Sequence, residues 1–213
     1  MEHSLEIIDW GFIPYRDALA KQIALVEKKK QTPNLTDYLI FAEHEPVYTI
    51  GSRAGANKNL LWDESTIKRH KLSVIKTNRG GDITYHGPGQ IVIYPIIYLK
   101  FRDLHAYLRK LETVMIRLLK SLGIDSSTRQ GKTGIWIEKK KICALGVAVR
   151  SWITYHGLAL NVNPNLSHFD GIIPCGIKDG SVTSLEQELH KVKEKKYIKD
   201  RFVVEFKSIF YEI

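Results

Sequence analysis

Gly134-Ile135-Trp136-Ile137-Glu138-Lys139-Lys140-Lys141-Ile142-Cys143-Ala144-Leu145-Gly146-Val147-Ala148-Val149-Arg150 is two apolar, β-branched runs divided by four charged residues. Runs of this composition on either side of a short polar cluster read as an antiparallel hairpin, with strands over 134–137 and 142–150 and a turn over 138–141. Residues 152–162, again rich in Ile, Tyr, Leu and Val, continue the meander. A sheet is therefore the centre of the fold, and everything else has to pack on it.

Upstream, Asp103 is placed to cap a helix whose Leu104, Tyr107, Leu108, Leu111, Val114, Met115, Leu118, Leu119 and Leu122 share one face. Gly123 ends it in the left-handed conformation. Before that helix, 73–77 and 91–99 read as strands, the second interrupted by Pro95. Residues 38–50 hold Pro46, which splits them or places them at an edge. A surface helix over 15–30 carries Tyr15, Leu19, Ile23 and Val26 at helical spacing. Downstream, 163–180 is dense in Pro, Gly, Asn and Asp and reads as a long irregular loop. The capping box within 183–187 opens a helix, and Ile198, Phe202, Val203, Phe206 and Ile209 define a C-terminal amphipathic one. Helices segregated from a run of strands give an α+β, or mixed α/β, single domain over 1–213.

With 213 residues, 44% hydrophobic and 26% charged, the chain is long enough for one filled core. No apolar run approaches the ~20 residues of a membrane span, and residues 1–10 lack the order of a secretory signal. A cytoplasmic protein is expected, with Cys143 and Cys175 as free thiols. The net charge of +9 favours an acidic partner. By charge alone nucleic acid, an acidic carrier protein and an anionic membrane all fit; dispersed lysines and the lack of a binding module weigh against nucleic acid, and without an apolar span no membrane insertion is expected.

Two segments carry chemistry. Arg79-Gly80-Gly81-Asp82-Ile83-Thr84-Tyr85-His86-Gly87-Pro88-Gly89-Gln90 packs four glycines between two strands, which lets backbone approach a ligand closely. It lacks the lysine and hydroxyl residue of a phosphate loop. Pro174-Cys175-Gly176 sets a thiol between a rigid and a permissive residue in a loop. A thiol is mostly protonated at neutral pH and needs a basic neighbour to act as a nucleophile. His86, His156, His168 and the lysines of 139–141 are the candidates, and sequence distance does not choose among them. These Cys and His residues show no paired spacing for zinc.

Together these segments resemble the lipoyl(octanoyl) transferase family, the lipoate-protein ligase B enzymes. The likeness runs through Glu43-His44-Glu45-Pro46-Val47-Tyr48-Thr49-Ile50-Gly51, the run from Arg79 to Gln90, Lys141-Ile142-Cys143-Ala144-Leu145-Gly146, His156-Gly157-Leu158-Ala159-Leu160-Asn161-Val162 and Pro174-Cys175-Gly176-Ile177. It ends near Val182-Thr183-Ser184-Leu185 and covers most of the chain.

The resemblance implies the fold of biotin-protein and lipoate-protein ligases. It also implies that octanoate moves from acyl carrier protein to a lysine of a lipoyl domain through a thioester on Cys175, with Lys141 as acid/base. The acceptors it implies are the E2 subunits of 2-oxoacid dehydrogenases and the H protein of glycine cleavage. No ATP or metal is implied. The acyl chain is expected against Arg79, Gly80, Gly81, Asp82, Ile83, Thr84, Tyr85 and His86, against Ala144, Leu145 and Gly146, and against His156, Gly157, Leu158 and Ala159. Each buried methylene is worth about 0.8 kcal/mol, so a dry slot gains several for eight carbons. Cys143 departs from the small residue common at its position, and packing is its expected role. The competing reading is an ATP-dependent lipoate or biotin ligase acting through an acyl-adenylate, in which Cys175 is dispensable.

Overall fold

The computed structural model describes residues 4–32, 36–173, 180–191 and 194–211. Its elements in chain order are β1 Leu5–Phe12, α1 Tyr15–Gln31, β2 Asp37–Glu43, β3 Val47–Ile50, α2 Glu64–Arg69, β4 Ser73–Lys76, β5 Thr84–His86, β6 Gln90–Ile96, α3 Leu104–Ser121, β7 Ser127–Arg129, β8 Lys132–Ile137, β9 Lys140–Arg150, β10 Ile153–Asn161, β11 Ser181–Val182, α4 Leu185–Leu189 and α5 Lys195–Phe210.

The main sheet runs β1-β2-β6-β10-β9-β8-β7, with β11 parallel to β9. β1 and β2 are parallel and the other path neighbours antiparallel, so the sheet is mixed as expected. Its central strands alternate between two buried faces. Leu39 and Phe41 of β2, Ile91 and Ile93 of β6 and Leu158 and Leu160 of β10 join α3 and α5 in one core. Tyr38, Ile40 and Ala42, Val92, Tyr94 and Ile96, and Tyr155 and Ala159 meet Ala18 and Val26 of α1 in the other. Burial on both faces is why these strands read as continuous apolar runs. A smaller sheet, β4-β3-β5, has its own core with α2.

The strand split at Pro46 places β2 and β3 in different sheets. Asp103 Oδ1 accepts from Ala106 N at 2.9 Å and Gly123 has φ +82°, so both ends of α3 are as expected. In α4, Ser184 caps the helix, accepting from Gln187 N at 3.3 Å. The turn of the β8–β9 hairpin is narrower than expected: Lys140 and Lys141 belong to β9, and only Glu138 and Lys139 turn the chain, Glu138 at φ +54°. Strand β1 and the short α2, β5, β7 and β11 are additions to the sequence reading, and a 3-10 helix over Leu166–Gly171 lies within the stretch read as an irregular loop.

Pro95 shapes the sheet where it matters most. Proline donates nothing to a ladder, and the β6–β10 pairing stops at Leu158↔Ile93. Gly157 accommodates the disturbance, since a Cβ there would lie 2.1 Å from Ile93 O and 2.8 Å from Pro95 Cδ. The next residue back, His156, has φ +56°. Its freed N–H donates to Gln22 Oε1 of α1 at 2.8 Å, so the irregularity leaves no orphaned donor.

Candidate active site

A cavity of about 110 Å³ lies where the glycine-rich run crosses β9 and β10. The structure brings Arg79, Gly81, Asp82, Thr84, His86, Ala144, Leu145, Gly146, His156, Gly157, Leu158 and Ala159 to its wall. Three segments singled out in sequence thus converge on one space. Gly80 borders it indirectly, its N–H donating to Val147 O at 2.7 Å and tying the run to β9. Ile83 and Tyr85 point instead into the core of the small sheet. Strand periodicity explains the division: in β5, Thr84 and His86 face one way and Tyr85 the other. Tyr15, Arg53, Val92, Tyr94, Gly131, Lys132 and Thr133 complete the wall and were not singled out in sequence.

Arg79 is buried and much of its donor capacity is spent on the protein. Nη2 donates to Thr49 O at 2.6 Å and Oγ1 at 2.9 Å, Nε to Thr49 Oγ1 at 3.2 Å, and Nη1 to Gly80 O at 3.1 Å. Asp82 accepts from Asn59 Nδ2 at 2.8 and 2.9 Å and from Ile83 N at 2.7 Å, which fixes the run from its other side. The absent side chain at Gly146 is used by this packing, since a Cβ would lie 2.9 Å from Gly80 O and 3.2 Å from Arg79 Cδ.

Burial and neighbouring positive charge keep the histidines here neutral. Desolvation, with Arg79 adding to it, lowers His156 to about 3. Desolvation, then His44 and Arg79, hold His86 well below the usual range. His44 is lowered by burial; its Nδ1–H donates to Ile13 O at 2.7 Å and its Nε2 accepts from Tyr94 Oη at 2.6 Å. Burial pushes Tyr15 up to about 12. His168 lies apart from the cavity, packed against Tyr85 with Nδ1 2.9 Å from its hydroxyl.

The three lysines of 139–141 have three different fates. Lys139 is exposed in the turn. Lys140 pairs with Glu188 of α4 at 2.5 Å. Lys141 is buried between β8 and β11, paired with Trp136 and Val182. Its Nζ donates to Thr133 O at 3.0 Å and stands 4.8 Å from the Trp136 ring centroid, a cation–π geometry. Thr133 lines the cavity, so this ammonium sits at its edge. Gly134, φ +128°, makes room for it: a Cβ would approach Lys141 Cε at 2.9 Å and Nζ at 3.2 Å, and Cys143 O at 2.8 Å.

Cys143 is fully buried in the main core, and desolvation pushes its thiol up to about 12 even though Lys141 pulls it down. Packing is its role at neutral pH. Cys175 and its neighbours Pro174 and Gly176 lie outside the described residues. No helix among the described residues is long and apolar enough to cross a membrane.

Residues 14–207 match the lipoyl protein ligase A/B catalytic domain family. An octanoyltransferase of Rubrobacter xylanophilus is 48% identical over 180 residues, 84% of this chain and 81% of the relative. Another, of Cytophaga hutchinsonii, is 40% identical over 227 residues, 97% and 93% of the two chains. The bi-partite lipoate protein ligase of Thermoplasma acidophilum superimposes with a TM-score of 0.73 over 99% of this chain and 84% of its own, at 16% identity. Biotin protein ligase of Aquifex aeolicus does so at 0.54 over 100% and 70%, at 14% identity. The two structures share the fold, as the sequence resemblance implied; the closer relatives narrow it, and the chain belongs to the lipoyl protein ligase A/B catalytic domain family, on the branch of the octanoyltransferases.

Proposed function

We propose that this chain is an octanoyltransferase: it takes octanoate from acyl carrier protein onto Cys175 and passes it to a lysine of a lipoyl domain, with Lys141 as the proton carrier. The observation that carries the reading is a buried ammonium fixed at the edge of a cavity in which Val92, Leu145, Leu158 and Ala159 form an apolar part of the wall. An apolar stretch of wall suits an alkyl chain, and a lysine held by the Thr133 carbonyl and the Trp136 face is placed rather than free to wander. Cys175 precedes Val182 by seven residues, a tether of at most about 25 Å, and Val182 pairs with Lys141 in the sheet.

The chemistry balances through that lysine. The Cys175 thiolate attacks the donor thioester, and the leaving pantetheine thiolate takes the Lys141 proton. The amine of the acceptor lysine then attacks the enzyme thioester, its proton passes to the now neutral Lys141, and the Cys175 thiolate is released. The amide leaves, and both groups return to their starting states. No nucleotide or metal enters this scheme. E2 subunits and the glycine cleavage H protein are the acceptors, in the cytoplasm, and the whole chain acts as one domain.

Incubation with octanoyl-acyl carrier protein, without ATP, is expected to add one octanoyl group to the intact protein by mass. Cys175→Ser is expected to abolish that adduct. An adduct that survives Cys175→Ser and disappears in Cys143→Ser defeats the assignment of the nucleophile, and transfer that requires ATP and releases pyrophosphate establishes the ligase reading instead.

Gly134→Ala is expected to slow transfer by about tenfold or more, because the new methyl displaces Lys141 or its strand by a few tenths of an ångström. Single-turnover transfer measured beside the melting temperature checks this. A variant with a lowered melting temperature and undiminished transfer shows that Gly134 serves the fold alone.

A further inference from the structure

Behind His86 runs a chain of buried amides whose orientation leaves no ambiguity. Asn161 Nδ2 donates to the carbonyl of Thr183 at 2.9 Å, so its Oδ1 is the acceptor on the other side. That oxygen accepts from Gln90 Nε2 at 2.8 Å, and the same Nε2 also donates to the carbonyl of Tyr85 at 3.2 Å. Gln90 Oε1 is thereby turned to His86 Nδ1, 3.2 Å away. A carbonyl oxygen accepts only, so Nδ1 must carry the proton. His86 lines the cavity, and among the described residues no group meets its other nitrogen, Nε2.

We infer that Gln90 is a positioning residue, anchored by Asn161, which holds His86 in the Nδ1–H tautomer so that bare Nε2 accepts a hydrogen bond from the attacking amine in the cavity. This rests on the transferase reading above and assigns His86 to its second half. An acyl thioester offers no N–H or O–H, and its developing oxyanion needs donors, as does the departing thiolate. A bare ring nitrogen serves none of these. Of the reacting groups themselves, the acceptor amine is the one that brings hydrogens to be oriented. Burial keeps His86 neutral, so it orients the amine and leaves the proton for Lys141. The chain also ends next to that lysine, because Thr183 N donates to Lys141 O at 3.0 Å. One continuous set of hydrogen bonds therefore registers both groups to the same strand.

Nitrogen-15 spectra of the labelled full chain at neutral pH are expected to show His86 Nδ1 protonated and Nε2 bare. Gln90→Leu is expected to lose that single tautomer and to slow octanoyl release to a lipoyl domain by about tenfold, while slowing octanoyl-enzyme formation far less. His86→Phe keeps the ring against Tyr15 and is expected to split the two half-reactions in the same direction, which covers a Gln90 variant that fails to fold. A protonated Nε2 in the wild-type spectrum, or variants that slow both half-reactions equally, overturns the inference. Wild-type protein that accepts no octanoyl group from the carrier refutes the transferase reading and removes the amine role of His86, while the tautomer spectrum still reports on Gln90.

Discussion

Lys141→Ala is expected to reduce octanoyl transfer by about 10²–10⁴ with the fold intact, equivalent to about 3–5 kcal/mol of transition-state stabilisation. The structural cost should be small. Among the contacts described above, truncation removes the hydrogen bond to Thr133 O and the cation–π contact with Trp136, worth about 1–3 kcal/mol. The space vacated lies at the cavity edge, beside Thr133, where water can enter. The kinetic cost is large because the lysine serves both half-reactions, as acid for the departing thiolate and as base toward the amine. Lys141→Arg should be nearly as slow, since a guanidinium keeps the charge but does not release its proton at accessible pH. Lys140→Ala is the control: it breaks a partly exposed pair with Glu188, worth no more than about 1 kcal/mol, and should leave transfer close to wild type. Single-turnover rates with far-ultraviolet circular dichroism test all three. Near-normal transfer by Lys141→Ala across the pH range removes the lysine from the mechanism.

The elements written plainly in the sequence are those whose information is local. Helix α3 has its cap, its apolar stripe and its terminal glycine within 21 residues, from Asp103 to Gly123, and all three are where they were expected. The strands β6 and β10 are buried on both faces and β9 mainly on one, and all three announce themselves by composition. The short elements are different. Helix α2 spans six residues and β5 and β7 three each, too few for a period to emerge. Strand β1 lies at the sheet edge with Ile7 and Phe12 exposed, so its pattern does not report a buried face.

Helix α1 was located correctly and its face in part, since Tyr15 and Val26 are buried and Leu19 packs against the core. Apolarity selected Ile23, which is exposed, whereas the buried stripe is Tyr15, Ala18, Gln22, Val26 and Lys29. Two of these five are polar because they answer tertiary demands: Gln22 satisfies the N–H freed at His156, and Lys29 pairs with Asp37 at 2.8 Å. A similar limit applies to the site. Its glycine-rich and β10 walls were visible as motifs, but Tyr15, Val92 and Tyr94 reach it from elements where nothing in the local sequence marks them. The lysine run shows the same point at finer scale. Its three identical side chains are distinguished only by register against Trp136, Val182 and Glu188, which no window of sequence contains.

The buried, neutral histidines in and beside the cavity should make the fold sensitive to mild acid. His156 is lowered to about 3, by burial first and then by Arg79, and His44 and His86 are lowered as well, burial again being the largest cause. Each folded value is below the unfolded value near 6.5, so between the two the unfolded chain binds more protons. Stability is therefore complete above about pH 6.5 and is lost as pH falls toward the folded values. At pH 5 the loss from His156 alone is about 2 kcal/mol, a sizeable part of the 5–15 kcal/mol typical of a domain. His44 and His86 act in the same direction. His168, lowered by burial and then by His70, adds to them; Glu112 opposes, its carboxyl raised by burial against the pull of Arg109, but among the described residues it is one group against four. Carboxylates held low, such as Asp63, lose their contribution only below about pH 4–5, which leaves the window from 6.5 to 5 to the histidines. Urea midpoints should fall steeply across that window. His156→Asn should flatten the fall, since asparagine tolerates the positive φ at this position and carries no titrating group. Such a variant is expected to be less stable than wild type at pH 7.5, having lost the ring's hydrogen bond to Asn78, and to close that gap by pH 5. Midpoints that stay level from pH 7.5 to 5 in the wild type would mean that the cavity admits water and protons freely, and a wet slot of that kind could not hold an alkyl chain by burial.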